Sequence, residues 1–560
     1  MLDKKTSKRK KMLIWIVSII AILFLFGYLL VAGLRIPPPE IADKSALNIP
    51  VVYAESGEII AGKSKLRQSK SGLWEMYLEG NAFERGVTAG KISKDLLYYQ
   101  EKVFVDQIRE LVPSKVYIMF LRNVIGFFNR KLPKNILDEY KEEIYGISIF
   151  CTHEYDFIGT PYERQLNYHA AHDLGHALQD FMLVGCTSFA AWGDNTENSC
   201  LLVGRNFDFY AGDRFAENKL VTFVHPDKGY KFAMVGWAGM CGVLSGMNER
   251  GLTVTINAAK SSMPTSAATP ISILCREILQ YASDIDEAYA IAQKRKTFVS
   301  ESILIGSVAD NSAAIIEKSP DNIGLFRPTD NKIICANHFQ SETFKHDKKN
   351  IENIQTSDSP YRQQRMEELI KTNLPLNPTK TAAILRNKEG LGNKNIGLGN
   401  EKSINQLIGH HSVIFVPHKL QMWVAAPPWQ LGEYVAYNLN AIFSNPDFSS
   451  EIAATDLTIP ADSFLHTSEY TGYLSYRSLT KEIKQAIKDK TTVEEKQIND
   501  YIATNPEFYY VYELAGDYYA SKKLYTQAVS LWNRALEKEI PKLKDRENIR
   551  ERLRICIKLV

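Results

Sequence analysis

What this chain does not carry narrows its chemistry first. No two of its seven cysteines stand at a C-x-x-C spacing, so the common redox and zinc patterns are missing. No HExxH occurs either, which removes the usual zinc-hydrolase signature. Charge of one sign is scarce. Lys and Arg number 67 against 64 Asp and Glu, a net +3. Residues 1–11 alone, with six basic side chains and one acid, exceed that surplus. The body of the chain is therefore near neutral and offers no basic face for nucleic acid. Charged residues at 23% and hydrophobic ones at 45% are ordinary globular values that exclude long disorder. A length of 560 residues leaves room for three or four domains.

Residues 12–34 contain no charged residue. As a helix rising about 1.5 Å per residue, this run spans a hydrocarbon core of about 30 Å. It is too long for the apolar region of a cleaved signal peptide, and LLVAGLRIPPPE offers a poor cleavage site. The expectation is a single-pass signal anchor at 12–34, with the basic tail 1–11 cytoplasmic and the remainder extracytoplasmic (periplasmic in a Gram-negative cell).

A proline-bearing and then polar segment, 35–71, reads as a tether. Leu73 to Glu79 alternates as a strand, and helical pattern follows from about Glu84 to Ile149, broken near Pro113 and Pro133. Arg164 to Val184 reads as a helix that delivers the chain to Gly185. From Cys186 the texture changes to strands with turn signals: Leu201–Phe207, Leu220–His225, Lys231–Gly236, Gly242–Met247 and Leu252–Asn257. A helical block at Pro270–Lys296 precedes strand pairs at 302–318 and 324–336. Helices near 359–371 and 379–386 come before a last pair at 412–425. Hairpins with inserted helices predict an antiparallel α+β layered fold. Residues 448–498 read as a linker. Residues 499–560 read as helical, where Gly516, Tyr519, Ala528, Trp532 and Ala535 match the spacing of one tetratricopeptide unit, a surface that could bind a protein partner.

The stretch richest in chemistry is Gly185–Tyr210. Cys186 opens one strand and an Arg-Asn-Phe-Asp cluster closes the next. Five of the other six cysteines sit in apolar or strand-like runs; Cys186 alone directly follows a glycine at a strand start. A thiol needs help to ionise near neutral pH. One route is a neighbouring histidine, and His338 is a candidate. Another is the cysteine's own α-amine, which titrates near 7.7–8.0 once the preceding peptide bond is cut. Gly185-Cys186 suits such a cut, because glycine permits an unusual turn.

These residues resemble the N-terminal-nucleophile (Ntn) hydrolases of the C45 peptidase group, the acyl-coenzyme A:6-aminopenicillanic acid acyltransferase-like proteins related to choloylglycine hydrolases and penicillin V acylases. The resemblance runs from about Leu73 to Pro427 through LEGNAFERGVTAG, GCTSF, GRNFDF, SGMNERGLTVTIN, ANHFQS and SPYR. It implies a four-layer αββα fold, residues 72–185 as a pro-part and 186–447 as the catalytic core. It also implies self-cleavage between Gly185 and Cys186, with no cofactor. By the same resemblance Arg205 supports the thiolate and binds substrate, Asp208 holds the α-amine, Asn257 is an oxyanion-hole donor, Asn337 is a second polar residue near the nucleophile, and Arg362 binds substrate. Bland alternatives stand beside each: a surface ion pair for Arg205 and Asp208, turn amides for the asparagines, and Arg365 in place of Arg362. His169, His172 and His176 would share a helix face and could hold zinc, or they pack near the junction.

The expected function is a self-processing amidohydrolase or acyltransferase acting on a linear C–N amide bond of an N-acyl small molecule. The alternative is a catalytically silent membrane scaffold.

Overall fold

The computed structural model describes residues 35–170, 183–260 and 268–559. The basic tail, the apolar run 12–34, His172 and His176 lie outside the described residues. Within them, no single helix is long and apolar enough to cross a membrane.

Two sheets dominate. One has eleven strands and the other six, the latter ordered Lys332–Cys335, Thr187–Gly193, Ser199–Phe207, His411–Val416, Gln421–Ala425 and Tyr434–Asn438. All strand ladders are antiparallel except Trp74–Gly80 beside Leu220–Pro226. The two sheets face each other because their strands alternate. Along Thr187–Gly193, Ala190 and Trp192 join the core between the sheets, whereas Phe189 and Ala191 pack outward with Met366, Leu369 and Ala382. Those last three lie on the helices Ser359–Asn373 and Pro378–Leu385. In the larger sheet, Leu252, Val254 and Ile256 point away from the gap, toward Leu274, Ile278 and Ala288 of helices Ile271–Tyr281 and Ile285–Lys294. The intervening Thr253, Thr255 and Asn257 face the smaller sheet. The order is helix, sheet, sheet, helix: the expected αββα layering.

The same alternation orients the chemistry. Ser188, Ala190 and Trp192 share the inward face, and Cys186 continues that parity. On the paired strand, Leu201 and Val203 point inward, so Arg205 does too.

Three local expectations need correction. Residues 35–71 are not a plain tether: Val51–Tyr53, Ile59–Ala61 and Ser64–Gln68 extend the large sheet. They are short edge strands, too brief for a periodic signal. Of the helix expected over Arg164–Val184, the described residues show an earlier start, Pro161–His169, opened by a capping box between Thr160 and Glu163, while its last two residues, Leu183–Val184, are a strand paired with Phe209–Tyr210; the stretch 171–182 lies outside the described residues. The stretch 448–498 holds a long helix, Ser468–Asp489.

That helix and four more, Glu495–Thr504, Tyr509–Ser521, Tyr525–Leu536 and Leu543–Cys556, form a core of their own around Tyr476, Tyr501, Tyr512 and Trp532. They dock on the sheet domain. The side chain of Asn505 brackets Leu398, donating to its carbonyl at 2.8 Å and accepting its N–H at 3.0 Å. At Gly397, with φ +83°, a Cβ would sit 2.4 Å from Phe508 Cα.

Candidate active site

The two strands of the central hairpin pair Thr187 with Asn206 and Ser188 with Arg205. One residue earlier the ladder breaks. It resumes at Leu183–Val184 against Phe209–Tyr210, with Gly185 N–H donating to the Asp208 carbonyl at 3.0 Å. The Gly185–Cys186 bond is thus a kink in an otherwise continuous hairpin, directly opposite Asp208. Cys186 is fully buried, and no disulfide engages it. Burial raises its thiol to about 11, with the guanidinium of Arg205 pulling the other way. An uncut Cys186 is a protonated thiol at neutral pH.

Arg205 lies beneath the thiol, its Nη2 3.9 Å from Sγ. It is completely buried, which removes the surface-ion-pair alternative. Phe207 stacks under it, ring centre 4.4 Å from the guanidinium carbon. Nη2 donates to the Ile256 carbonyl, and Nη1 to the Leu244 carbonyl and to His411 Nε2, at 3.1 and 3.2 Å. His411 accepts through Nε2, so its proton is on Nδ1, aimed at His410 Nδ1 2.9 Å away. Burial beside Arg205 holds both imidazoles neutral. The arginine is fixed from four sides, with one edge left for the sulfur.

Asp208 is the most unusual group. Its carboxyl is fully buried, and neither oxygen has a hydrogen-bond partner among the described residues. Burial raises it to about 7, against the pull of Arg362 and Arg205. Buried polar atoms in folded proteins are nearly always paired, so an orphaned carboxyl marks a missing partner.

Asn257, at the end of its strand, reaches across to the smaller sheet. It accepts from Ser188 Oγ at 3.0 Å and donates to the Cys335 carbonyl at 2.8 Å. Asn337 donates to the Ala258 carbonyl at 2.8 Å and accepts from Arg362 Nη2 at 2.6 Å. Arg362, near the start of its helix, also donates to the Cys186 carbonyl and Thr187 Oγ1, both at 2.7 Å, while its Nε is held by Asp358. Arg362, not Arg365, therefore serves this centre; Arg365 turns to Asn387, Asn393 and Glu368. Arg205 and Arg362 touch Cys186, Asp208 faces the bond before it, and Asn257 and Asn337 are tied to the same centre through Ser188 and Arg362.

Of the histidine alternatives, the two among the described residues are engaged elsewhere, and His172 and His176 lie outside them. His338 bonds Ser359 Oγ at 2.7 Å rather than the thiol. His169 is saturated: Nδ1 donates to the Gln165 carbonyl at 2.7 Å, and Nε2 accepts the Cys241 N–H at 2.9 Å. It has no lone pair left for zinc. Three site neighbours escaped sequence reading. Ser245 and His411 hold Arg205, and Gln406 donates from Nε2 to the Gly185 carbonyl at 2.8 Å. Each is remote in sequence from the residue it serves; Ser245 opens the SGMNERGLTVTIN motif without a role read into it, and His411 and Gln406 carry no motif.

Comparison with known proteins agrees with the motif reading. The family model "Acyl-coenzyme A:6-aminopenicillanic acid acyl-transferase" matches residues 195–427. That span takes in Arg205, Asp208, Asn257, Asn337 and Arg362 and begins just beyond Cys186, so the family resemblance is borne out. An "Uncharacterized protein" of Archaeoglobus fulgidus is 24% identical over 276 residues, 46% of this chain and 45% of that protein. "Protein dcd1B" of Dictyostelium discoideum is 24% identical over 270 residues, 45% of this chain and 51% of that protein. The chain spans about half the length of the curated relatives it matches. Among solved structures, a Caenorhabditis elegans N-acylethanolamine-hydrolyzing acid amidase ortholog is similar at 15% identity, over 41% of this chain and 93% of that one, with a TM-score of 0.31.

Proposed function

We propose, from the premise that residues 195–427 match the acyl-coenzyme A:6-aminopenicillanic acid acyl-transferase family model, that the chain is a self-processing cysteine amidohydrolase or acyltransferase. Its substrate is an N-acyl small molecule with a linear amide bond. One observation carries the reading: the buried, unpartnered carboxyl of Asp208 opposite the Gly185–Cys186 bond. Cutting that bond creates an α-amine where the carboxyl has no partner. An ammonium there is stabilised by the opposite charge, and the pair is satisfied.

The chemistry follows from the groups present. The free Cys186 amine accepts the thiol proton, since its ordinary pKa of about 7.7–8.0 suits a base near neutral pH. Arg205, at 3.9 Å, favours the thiolate. The sulfur attacks the acyl carbonyl carbon, and negative charge gathers on the carbonyl oxygen. Asn257 and Asn337 each spend one amide N–H on a backbone carbonyl. Each amide keeps a second N–H, suitable for that oxygen. Collapse expels the amine, which takes the proton from the Cys186 ammonium. Water or an acceptor amine then resolves the thioester. Arg362 fixes the Cys186 carbonyl and Asn337 together, and so orients both nucleophile and donor.

Anchoring of this domain outside the cytoplasm by residues 12–34 belongs to the same proposal and rests on the sequence of that run. Intact-mass measurement tests the core claim. The expected result is two fragments split before Cys186, abolished in Cys186→Ala. An uncut wild-type chain that a cysteine-directed N-acyl probe also leaves unlabelled would sink the reading. Carbonate extraction of the membrane fraction tests the anchor: release of the full chain removes it.

A further inference from the structure

The self-cleavage reading names a nucleophile and a scissile bond but no donor for the oxygen of that bond. We propose that Gln406 is the donor, a catalytic residue of the processing step rather than of substrate turnover. This rests on the reading above that Gly185–Cys186 is cut.

Gln406 is buried, with 1% of its surface exposed, and its Nε2 donates to the Gly185 carbonyl at 2.8 Å across 221 residues of sequence. The fit is close. A Cβ on residue 185 would stand 2.4 Å from Gln406 Nε2, so glycine there is a requirement of the amide's position. The peptide units on either side are fixed as well: Gly185 N–H donates to the Asp208 carbonyl, and the Cys186 carbonyl accepts from Arg362.

The loop that carries Gln406 is held on both sides. Asn206, between Arg205 and Phe207, donates to the Ile404 carbonyl at 3.0 Å. Asn405 N–H donates to the Asn387 carbonyl at 2.8 Å. Leu407 follows in a left-handed conformation, φ 54°, its N–H bonded to Asn405 Oδ1. The Leu407 carbonyl accepts from Tyr473 and Arg477 of the C-terminal helix Ser468–Asp489, both at 3.5 Å. The donor is therefore positioned before any reaction, which is the condition for strong stabilisation of a developing charge.

In the step, Cys186 Sγ bonds to the Gly185 carbonyl carbon. The carbonyl oxygen takes the electron pair and the Gln406 N–H meets it. Collapse breaks the carbon–nitrogen bond, and the Cys186 nitrogen leaves with the proton that the thiol gave up. Water then hydrolyses the thioester, giving a Gly185 carboxylate and a free thiol beside a free amine. No oxidant, metal or other reactant is consumed.

The test follows the full chain as wild type, Cys186→Ala, Gln406→Met and Gln406→Glu, with fragment appearance timed by intact mass. Gln406→Met keeps the volume and removes the donor; processing is expected to slow by about 10²–10³-fold, the effect of removing one oxyanion donor. Gln406→Glu adds a readout that a packing role would not move. It should be slow at pH 8, where the carboxylate cannot donate. Relative to wild type it should recover as the pH falls and its O–H can donate, a recovery absent from Gln406→Met. If wild type is cut, Cys186→Ala is not, and Gln406→Met is cut at the wild-type rate, the role of Gln406 is wrong while self-processing stands. If wild type is never cut, both fail. Should Gln406→Met not fold, the Gln406→Glu profile decides, and one parallel to wild type from pH 5 to 8 overturns the proposal.

Discussion

Asp208→Asn in the uncut chain isolates the central electrostatic claim. In a Cys186→Ala background, which cannot process, Asp208 remains buried without a partner. Its folded-state pKa is raised from 3.8 to about 7. A raised carboxyl pKa means that the folded state binds the proton more tightly than the unfolded one. The stability this contributes is full below the unfolded pKa and is lost as pH rises through about 7. Each pKa unit corresponds to about 1.4 kcal/mol, so two units between pH 5 and the folded pKa give roughly 3 kcal/mol lost between pH 5 and pH 8. Asparagine does not titrate and removes that component. Urea unfolding followed by tryptophan fluorescence at the two pH values, for Cys186→Ala with and without Asp208→Asn, measures the difference of differences and cancels uncoupled groups. The aspartate form should weaken toward pH 8 by about 3 kcal/mol more than the asparagine form. Equal pH dependence in the two would refute the claim that the carboxyl is buried unpaired. In the cut protein the same position is expected to invert: with an ammonium beside it, Asp208 ionises readily, and Asp208→Asn costs activity instead.

Two further outcomes follow from contacts already described. Arg362→Leu leaves Asp358, Asn337 and the Cys186 carbonyl without their buried donor, so it should cost about 3–5 kcal/mol in urea unfolding and stop fragment formation. Arg362→Lys should recover little, because an ammonium cannot fork to three acceptors. Gly397→Ala drives a methyl into Phe508 at a position where φ is positive; a loss of about 1–3 kcal/mol is expected. It should appear as faster limited proteolysis of residues 468–559 and as slower processing, because the same helices hold Leu407. Unchanged processing with loosened helices would separate the two.

The sheet domain was legible because its strands are buried on one or both faces and alternate. Leu252–Asn257 and Leu201–Phe207 were readable to within two residues of their ends. The site was legible where it is linear: Cys186, Arg205 and Asp208 lie on a single hairpin, and Asn257, Asn337 and Arg362 sit in short polar motifs. Residues that serve those groups from a distance were not. His411 reaches Arg205 from a neighbouring strand, and Gln406 reaches Gly185 from a loop whose sequence, INQLIGHHS, has no periodicity. Only the fold brings them together. The Thr160–Glu163 capping box was present as TPYE and marks the true helix start better than the apolar spacing did. The strands at 51–68 carry only three to five residues each and a mixed burial pattern, below the length at which alternation is informative.

Trp74–Gly80 is not at the margin of the large sheet. Strands from residues 51–68 lie on one side of it, and Leu220–Pro226, from beyond the junction, lies on the other. Arg85, upstream of the junction, is also joined to Glu143, which in turn meets Arg276 from downstream at 3.2 Å. Scission at 185–186 would thus turn one polypeptide into two interleaved ones sharing a single folded unit. The upstream piece would persist as a permanent subunit instead of being discarded. Separating the pieces would require unfolding both, so a molecule cut once should still travel as one body, and whatever holds residue 35 in place would hold Cys186 with it.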